Sequence, residues 1–314
     1  MSKTLEGRVI RSTGSFYTVQ LTDGQIMECR LKGKFRLRDL KNTNPVVVGD
    51  RVSIITDPVH ETGVIEEIYP RTNYIIRKST RASRGVHILA ANLDQALLVA
   101  TLHHPRTSPG FIDRFLVTAE AYHIPTLLVF NKTDLYDRDD INLLQRLTNY
   151  YQKVGYGVIE TSVITGQGLE ALKTKLHKRT TLIAGHSGVG KSALIKAIEP
   201  GLDIRIGDIS DYNLKGRHTT TFAQMHYLSL EGYIVDTPGI KEFGLIDFKK
   251  EEVGLYFPEI HALLSQCQYY NCTHDHEPGC AVKKAVAEGQ IADWRYRNYL
   301  HIIHDEELET PEWE

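Results

Sequence analysis

Apolar and polar positions follow different rules in different parts of the chain. In the first 70 or so residues, short β-rich runs at 7–11, 16–21, 26–31, 51–55 and 63–68 are separated by Gly, Asp, Asn and Pro turns. Five such strands fit a small OB barrel, a fold whose face and loops bind oligonucleotides. Beyond residue 90 the runs become continuous: 92–100 (NLDQALLVA), 126–130 (TLLVF), 158–159 (VI), 181–184 (TLIA) and 232–235 (GYIV) read as strands of a buried parallel sheet. Residues 193–198 (ALIKAI) continue one of them as a helix, and 281–289 and 294–303 read as two more helices near the end.

The chemistry lies where those strands stop. Residues 185–192 spell GHSGVGKS, a complete phosphate-binding loop at a strand-to-helix turn. Gly185, His186, Ser187, Gly188, Val189, Gly190 and Ala193 supply backbone N–H groups that face phosphate oxygens, aided by the helix N-terminus. Lys191 neutralises the β- and γ-phosphates, and the Ser192 hydroxyl ligates Mg²⁺. Asn131, Lys132, Thr133 and Asp134 follow the 126–130 strand, at the carboxyl end where open α/β sheets bind ligands. A carboxylate at Asp134 accepts from guanine N1–H and the exocyclic amine. Adenine has neither donor there, so the motif argues for GTP over ATP.

Asp236-Thr237-Pro238-Gly239 resembles the DxxG motif of GTPases, whose Asp holds Mg²⁺ through water and whose Gly N–H senses the γ-phosphate. In the preceding GRHTTT stretch, Thr219, Thr220 and Thr221 each offer a switch hydroxyl for Mg²⁺. The sequence does not choose among them, and Thr220 is carried as the candidate. Thr161 and Ser162 stand in the place of the fifth GTPase motif, departing from its usual Ser-Ala pair. Numbered as in ordinary GTPases, the motifs run fourth, fifth, first, second, third: a circular permutation.

Composition is that of a globular chain, 41% hydrophobic and 24% charged over 314 residues, enough for two or three domains. No run approaches the roughly 18 apolar residues of a membrane span, and MSKTLEGRVIRS has no signal-peptide core, so a cytoplasmic protein is expected. The net charge of −2 hides an asymmetry: residues 1–84 hold 15 Lys/Arg against 9 Asp/Glu, and the rest hold 22 against 30. The basic end is the expected nucleic-acid end. There Arg30, Lys32, Lys34, Arg36 and Arg38 recur at every second residue, which in an extended segment aims them one way, with Phe16, Tyr17 and Phe35 as stacking surfaces beside them. Cys29 reads as a core residue, and residues 71–84 as a basic joint with the domain boundary near 80. His103 and His104, before Pro105, mark a strand-end loop and carry no assignment.

Cys267, Cys272, His274 and Cys280 form a C-x4-C-x-H-x5-C segment that suits one tetrahedral Zn²⁺. Four protein ligands leave no position for water, which makes the zinc structural. His276 is an alternative to His274 on spacing alone. In the 294–303 helix, Arg295 and Arg297 interleave with Trp294, Tyr296 and Tyr299. That pattern is compatible with rRNA contact, and equally with an amphipathic helix packed on the zinc module. Residues 305–314 read as a solvated acidic tail.

These motifs together resemble the RsgA family, also called YjeQ or YloQ, over essentially the whole length. The resemblance implies an OB-fold β-barrel (1–78), a circularly permuted α/β P-loop GTPase domain (79–245) and a helical zinc-binding domain (246–314). It favours His274 over His276 as ligand. It further implies a GTP hydrolase that binds the 30S ribosomal subunit through 16S rRNA during late maturation, with GTP and GDP as nucleotides and hydrolysis driving release. Ile240 stands where Ras-like enzymes place a water-orienting glutamine, so slow intrinsic turnover is expected, with His218 as the catalytic candidate in cis. Residues 241–247 run from the third motif into the zinc domain, attaching the switch to that module. No heptad seam or repeat argues for assembly, and a monomer is expected.

Overall fold

Strands β1 (Thr4–Ser12), β2 (Tyr17–Leu21), β3 (Ile26–Leu31), β4 (Arg51–Asp57) and β5 (Thr62–Ile68) pair in the order β1-β2-β3-β5-β4, and β4 returns to β1. The sheet closes into a five-stranded barrel of OB type, with β3 and β5 parallel and the other pairs antiparallel. The five runs expected from sequence all form. The computed structural model describes residues 4–14, 16–32, 45–57, 62–78, 86–202, 223–236 and 248–304. Lys34, Phe35, Arg36, Arg38, His218, Thr219, Thr220, Thr221, Gly239, Ile240, the 241–247 connection and the 305–314 tail lie outside them, as do residues 79–84 of the joint.

Alternation decides what the barrel buries. Val9, Tyr17, Val19, Leu21, Cys29, Val52, Ile54 and Ile65 fill its interior, so Cys29 is a core residue as read. Tyr17 corrects an expectation. It is not a stacking surface but is 1% exposed, because positions 17, 19 and 21 of β2 all face inward. Its neighbour Phe16 is exposed, with the Arg30 guanidinium 5.0 Å from its ring centroid.

The joint after the barrel holds a strand of its own. β6 (Tyr74–Lys78) pairs antiparallel with β7 (Val86–Ala91), and β8 (Gln95–Ala100) follows. Asp50, fully buried, fixes this region by accepting from Val47 N at 2.8 Å and from Arg71 Nε at 2.7 Å and Nη2 at 2.8 Å. At Gly49, whose φ is +92°, a Cβ would lie 2.0 Å from the Ala91 carbonyl oxygen, so the barrel loop and β7 approach as closely as only glycine permits.

The chain divides into two compact units: Met1–Leu97, Leu169–Ser187 and Lys191–Phe243 in one, and Leu98–Gly168, Gly188–Gly190 and Gly244–Glu314 in the other. In the second, β9 (Thr126–Phe130) and β10 (Gly157–Glu160) run parallel, with helices α1 (Pro109–Ala121) and α2 (Arg138–Val154). Ser108 caps α1 by accepting from Phe111 N, and Asp137 and Asp140 form a capping box on α2. In the first unit, α3 (Leu169–Leu176) precedes β11 (Thr180–Ala184), buried at every residue. Helix α4 (Lys191–Ile198), β12 (Gln224–Tyr227) and β13 (Tyr233–Asp236) follow. β11 and β13 are parallel, β12 and β13 antiparallel, and β12 meets β1 at Arg11 and Gln224.

The C-terminal module of the second unit consists of α5 (Lys250–Val253), α6 (Pro258–His261), α7 (Ala281–Ala287) and α8 (Asp293–His304). Val253, Phe257, Ile260, Val282, Ile291, Tyr299 and Ile303 share a core with Val117 of α1. Arg295 is fully buried, ion-paired to Asp113 of α1 and, at 2.6 Å, to Glu259. Asp113 also accepts from Tyr151 Oη at 2.9 Å and Asn298 Nδ2 at 2.6 Å, and the Arg295 guanidinium sits 4.5 Å from the Phe257 ring centroid. Much of the α8 pattern is used in packing. Arg295 and Tyr299 are interior, Trp294 stacks edge-on against Tyr150 and Tyr151, and Arg297 pairs with Asp293 one turn away. No helix among the described residues is long and apolar enough to cross a membrane.

Removing one member of a buried charge pair strands the other without water. Asp113→Ala is expected to lower stability by about 3–5 kcal/mol, read from urea unfolding, and a loss below about 1 kcal/mol would contradict the anchoring role.

Candidate functional site: a guanine-nucleotide site and a Cys3His cluster

Strand β11 ends at Ala184, α4 begins at Lys191, and the glycines between them make the turn possible. Gly185, Gly188 and Gly190 have φ of 137°, 83° and 97°. A Cβ on Gly190 would sit 2.4 Å from Asn131 Nδ2, so this glycine is also required for contact with the guanine-reading motif. The Lys191 ammonium is held over the loop by the carbonyls of Gly185 and His186, at 2.9 and 2.8 Å. Asp236, the last residue of β13, stands in register with Ile183 of β11, two residues before the loop. Burial pushes its carboxyl pKa up, and the charge of Lys191 opposes that shift.

The second unit holds the other half of the chemistry. Asn131, at the end of β9, is 2% exposed. Its Nδ2 donates to the Val189 carbonyl at 2.9 Å, and its Oδ1 accepts from Thr161 Oγ1 at 3.0 Å. Residues far apart in sequence thus meet through one amide: the fourth motif, the fifth motif and the middle of the phosphate loop. Ser162 Oγ donates to Asp134 Oδ1, fixing the carboxylate expected to read guanine. Thr133 Oγ1 donates to Gln167 Oε1 at 2.9 Å and to the Thr161 carbonyl at 3.2 Å. Lys132 adopts a left-handed φ of 64°, and its Nζ donates to the His104 carbonyl.

Two contributors went unread in the sequence. The 101–107 loop supplies the His104 carbonyl to Lys132 and lies beneath the phosphate loop, where a Cβ on Gly188 would be 3.3 Å from Pro105 Cδ. It is braced by Thr101 N donating to Thr107 Oγ1 at 3.1 Å. The His-His-Pro punctuation marked a strand-end loop there, with nothing to reveal that the contact is made by a backbone carbonyl. His103 pairs with Asp140 at 2.7 Å. Gln167 carried no signal.

The ligand atoms of Cys267, Cys272, His274 and Cys280 all lie within 4.8 Å of one another, a group able to hold one metal ion. The Nδ1 of His274 is 3.6 Å from Cys267 Sγ and 3.4 Å from Cys280 Sγ. A tetrahedral ion about 2.3 Å from sulfur and about 2.0 Å from nitrogen requires S···N edges of roughly 3.5 Å, so the set fits zinc. His274 belongs to the cluster, whereas His276 is exposed and pairs with Asp275. Tyr296 and Tyr299 of α8 donate to the carbonyls of His274 and Thr273. Glu277 accepts from Thr273 N, Thr273 Oγ1 and Asp275 N, and these bonds hold its carboxyl down at about 2. Burial raises the Cys272 thiol to about 12, a cost that a bound cation offsets by stabilising the thiolate.

An NKTD strand end placed before the phosphate loop, and bonded to it, is the motif order of a circularly permuted GTPase. The sequence profile of the RsgA GTPase family matches residues 68–246, and that of the RsgA N-terminal domain matches residues 6–65. A relative from Bacteroides fragilis, named small ribosomal subunit biogenesis GTPase RsgA, is 52% identical over 303 residues, covering 96% of this chain and 97% of its own. One of the same name from Porphyromonas gingivalis is 50% identical over 311 residues, covering 97% and 98%. Among solved structures, YjeQ from Thermotoga maritima superposes with a TM-score of 0.81 at 38% identity, covering 96% of this chain and 98% of its own. YloQ, described as a circularly permuted GTPase, gives 0.76 at 30%, covering 99% and 97%. The chain belongs to the RsgA family of GTPases.

Asp134→Asn replaces an acceptor with an amide that donates toward position 2 of the base. It is expected to weaken GDP binding by about 10²-fold or more and to strengthen that of xanthosine diphosphate, whose position 2 carries a carbonyl. Unchanged preference in competition titrations would refute the role of Asp134. Stripping the Cys3His cluster with a chelator is expected to lower Tm and collapse the near-UV signal of Tyr296 and Tyr299. An unaltered spectrum after verified metal loss would contradict a structural site.

Proposed function

We propose that this GTPase binds the small (30S) ribosomal subunit through 16S rRNA and assists its late maturation, with subunit-stimulated hydrolysis of GTP to GDP and phosphate and release thereafter. The observation that carries the nucleotide half is the Asn131 amide joined to both Val189 and Thr161. The ribosomal half is supported by the name, small ribosomal subunit biogenesis GTPase RsgA, borne by relatives about half identical over nearly the full length. The domains assigned are 1–78 for RNA, 79–245 for GTP and 246–314 for zinc. A cytoplasmic monomer is the working state.

In this reading the backbone of residues 185–190 and Ala193 cradles the phosphates, and Lys191 neutralises the charge that grows on the β–γ bridging oxygen. Asn131, Lys132, Thr133 and Asp134 hold the base, with Thr161 and Ser162 behind them. Mg²⁺ is assigned to Ser192 and Asp236, and when bound it would withdraw charge from the β- and γ-phosphates. Thr220 and Gly239 report the γ-phosphate. The structural zinc is assigned to Cys267, Cys272, His274 and Cys280. With Ile240 unable to orient water, the attacking water is assigned to His218 once the subunit orders the switch.

Hydrolysis assays with purified small subunits, with large subunits and ATP as controls, test the proposal. Stimulation of at least about tenfold by small subunits alone is expected, and none at intact GTP affinity would overturn it. His218→Ala is expected to abolish most of that stimulation while leaving GTP binding intact, and full stimulation in the variant would remove His218 from the mechanism.

A further inference from the structure

Two arginines stand directly opposite each other on the barrel. Arg8 of β1 and Arg51 of β4 are register partners in an antiparallel pair, where like charges repel. Among the described residues neither has a carboxylate ion pair. Burial, and after it the charge of Arg51, disfavour the charged form of Arg8, while Tyr233 and Asp94 oppose them and the net direction is downward. A sequence that keeps such a pair breaks a local rule, and the usual compensation is a function.

Both line a groove of about 690 Å³ in the first unit, between the barrel and the β12–β13 hairpin. Its other wall is aromatic. Tyr227 and Tyr233 are cross-strand partners with ring centroids 5.2 Å apart. Tyr233 is fixed from two sides: its hydroxyl donates to Gln20 Oε1 at 2.7 Å, and the Arg8 guanidinium lies 5.2 Å from its ring centroid. Arg8 is itself held by Thr180 Oγ1 at 2.9 Å. Tyr227 is 50% exposed. Tyr69 completes the lining, donating to Glu6 at 3.0 Å, which ties up the groove's carboxylate.

From this geometry we infer a second nucleotide-binding site, separate from the GTP site: the groove takes one unstacked nucleotide of single-stranded RNA, with its base on Tyr227 and its phosphate at Arg51 and Arg8. A flat base matches the exposed ring, and a phosphate relieves the repulsion between the arginines. Rigid flanking contacts pre-position the floor, so little ordering is needed on binding. A free nucleotide carries the same chemistry, and the RNA source rests on the RNA-binding reading above.

The test uses the full chain saturated with GDP, and binding of fluorescein-labelled oligouridylate and of free UMP followed by anisotropy and competition. Tyr227→Ala is expected to weaken oligouridylate binding roughly tenfold, and Arg51→Gln to flatten the slope of log affinity against log salt by about 0.7. Photocrosslinking of 5-iodouridine RNA is expected to label Tyr227. GDP affinity and thermal stability should stay at wild-type values in both variants, separating lost binding from lost folding. Wild-type RNA affinity and salt slope in both variants would overturn the groove while leaving the RNA-binding reading standing. Saturation by UMP alone, with no gain from a longer strand, would overturn the RNA assignment. If the unaltered protein bound neither oligouridylate nor small subunits, the broader reading would fall with it.

Discussion

The Asn131 side chain, buried and bonded through both its nitrogen and its oxygen, is the point on which the nucleotide site depends. Its amide nitrogen grips the Val189 carbonyl and its oxygen receives the Thr161 hydroxyl. A buried amide costs free energy unless its donors and acceptors are matched, and here the matching groups come from two other motifs. The residue therefore fixes where β9 ends relative to the middle of the phosphate loop. The chain order of the motifs then matters little: a permuted sequence builds the same cradle because the contacts close in space.

A second constraint of similar kind organises the C-terminal module. Arg295 has no access to water, and its charge is balanced by Asp113 and Glu259, while Tyr151 shares the Oδ1 of Asp113 with it and Asn298 donates to Oδ2. Such a network contributes little net stability over an apolar core, but it tolerates only one docking geometry of α8 against α1. The Cys3His loop is pinned to the same helix through Tyr296 and Tyr299. The Cys3His cluster, α8 and α1 thus form one connected structure, and α1 leads back through Ser108 and Thr107 to the loop beneath Gly188.

Much of this was readable from the amino acids because the relevant signals are local. The GHSGVGKS turn, the NKTD run after an apolar strand, the close-spaced cysteines and the five short β-runs each carry their geometry within a few residues. What could not be read depends on facing and on distant partners. Tyr17 and Phe16 differ by one position, yet one is core and the other surface, because the strand register sets the inward face. The sequence left Arg295 open between RNA contact and packing, and its interior place rests on Asp113, 182 positions away, which supplies the counter-charge. Strand β6 lay hidden in the basic joint, and its partner β7 begins just after it.

The most direct test of the account is calorimetric titration of the full chain with GDP and with ADP under identical Mg²⁺ and salt. The Asp134 carboxylate is held by Ser162, and in the proposed role it would meet the two donors of guanine, which adenine lacks. A preference for GDP on the order of 10³-fold or greater is expected. Comparable affinity for the two nucleotides would contradict the claim that the permuted motifs assemble a guanine-specific site.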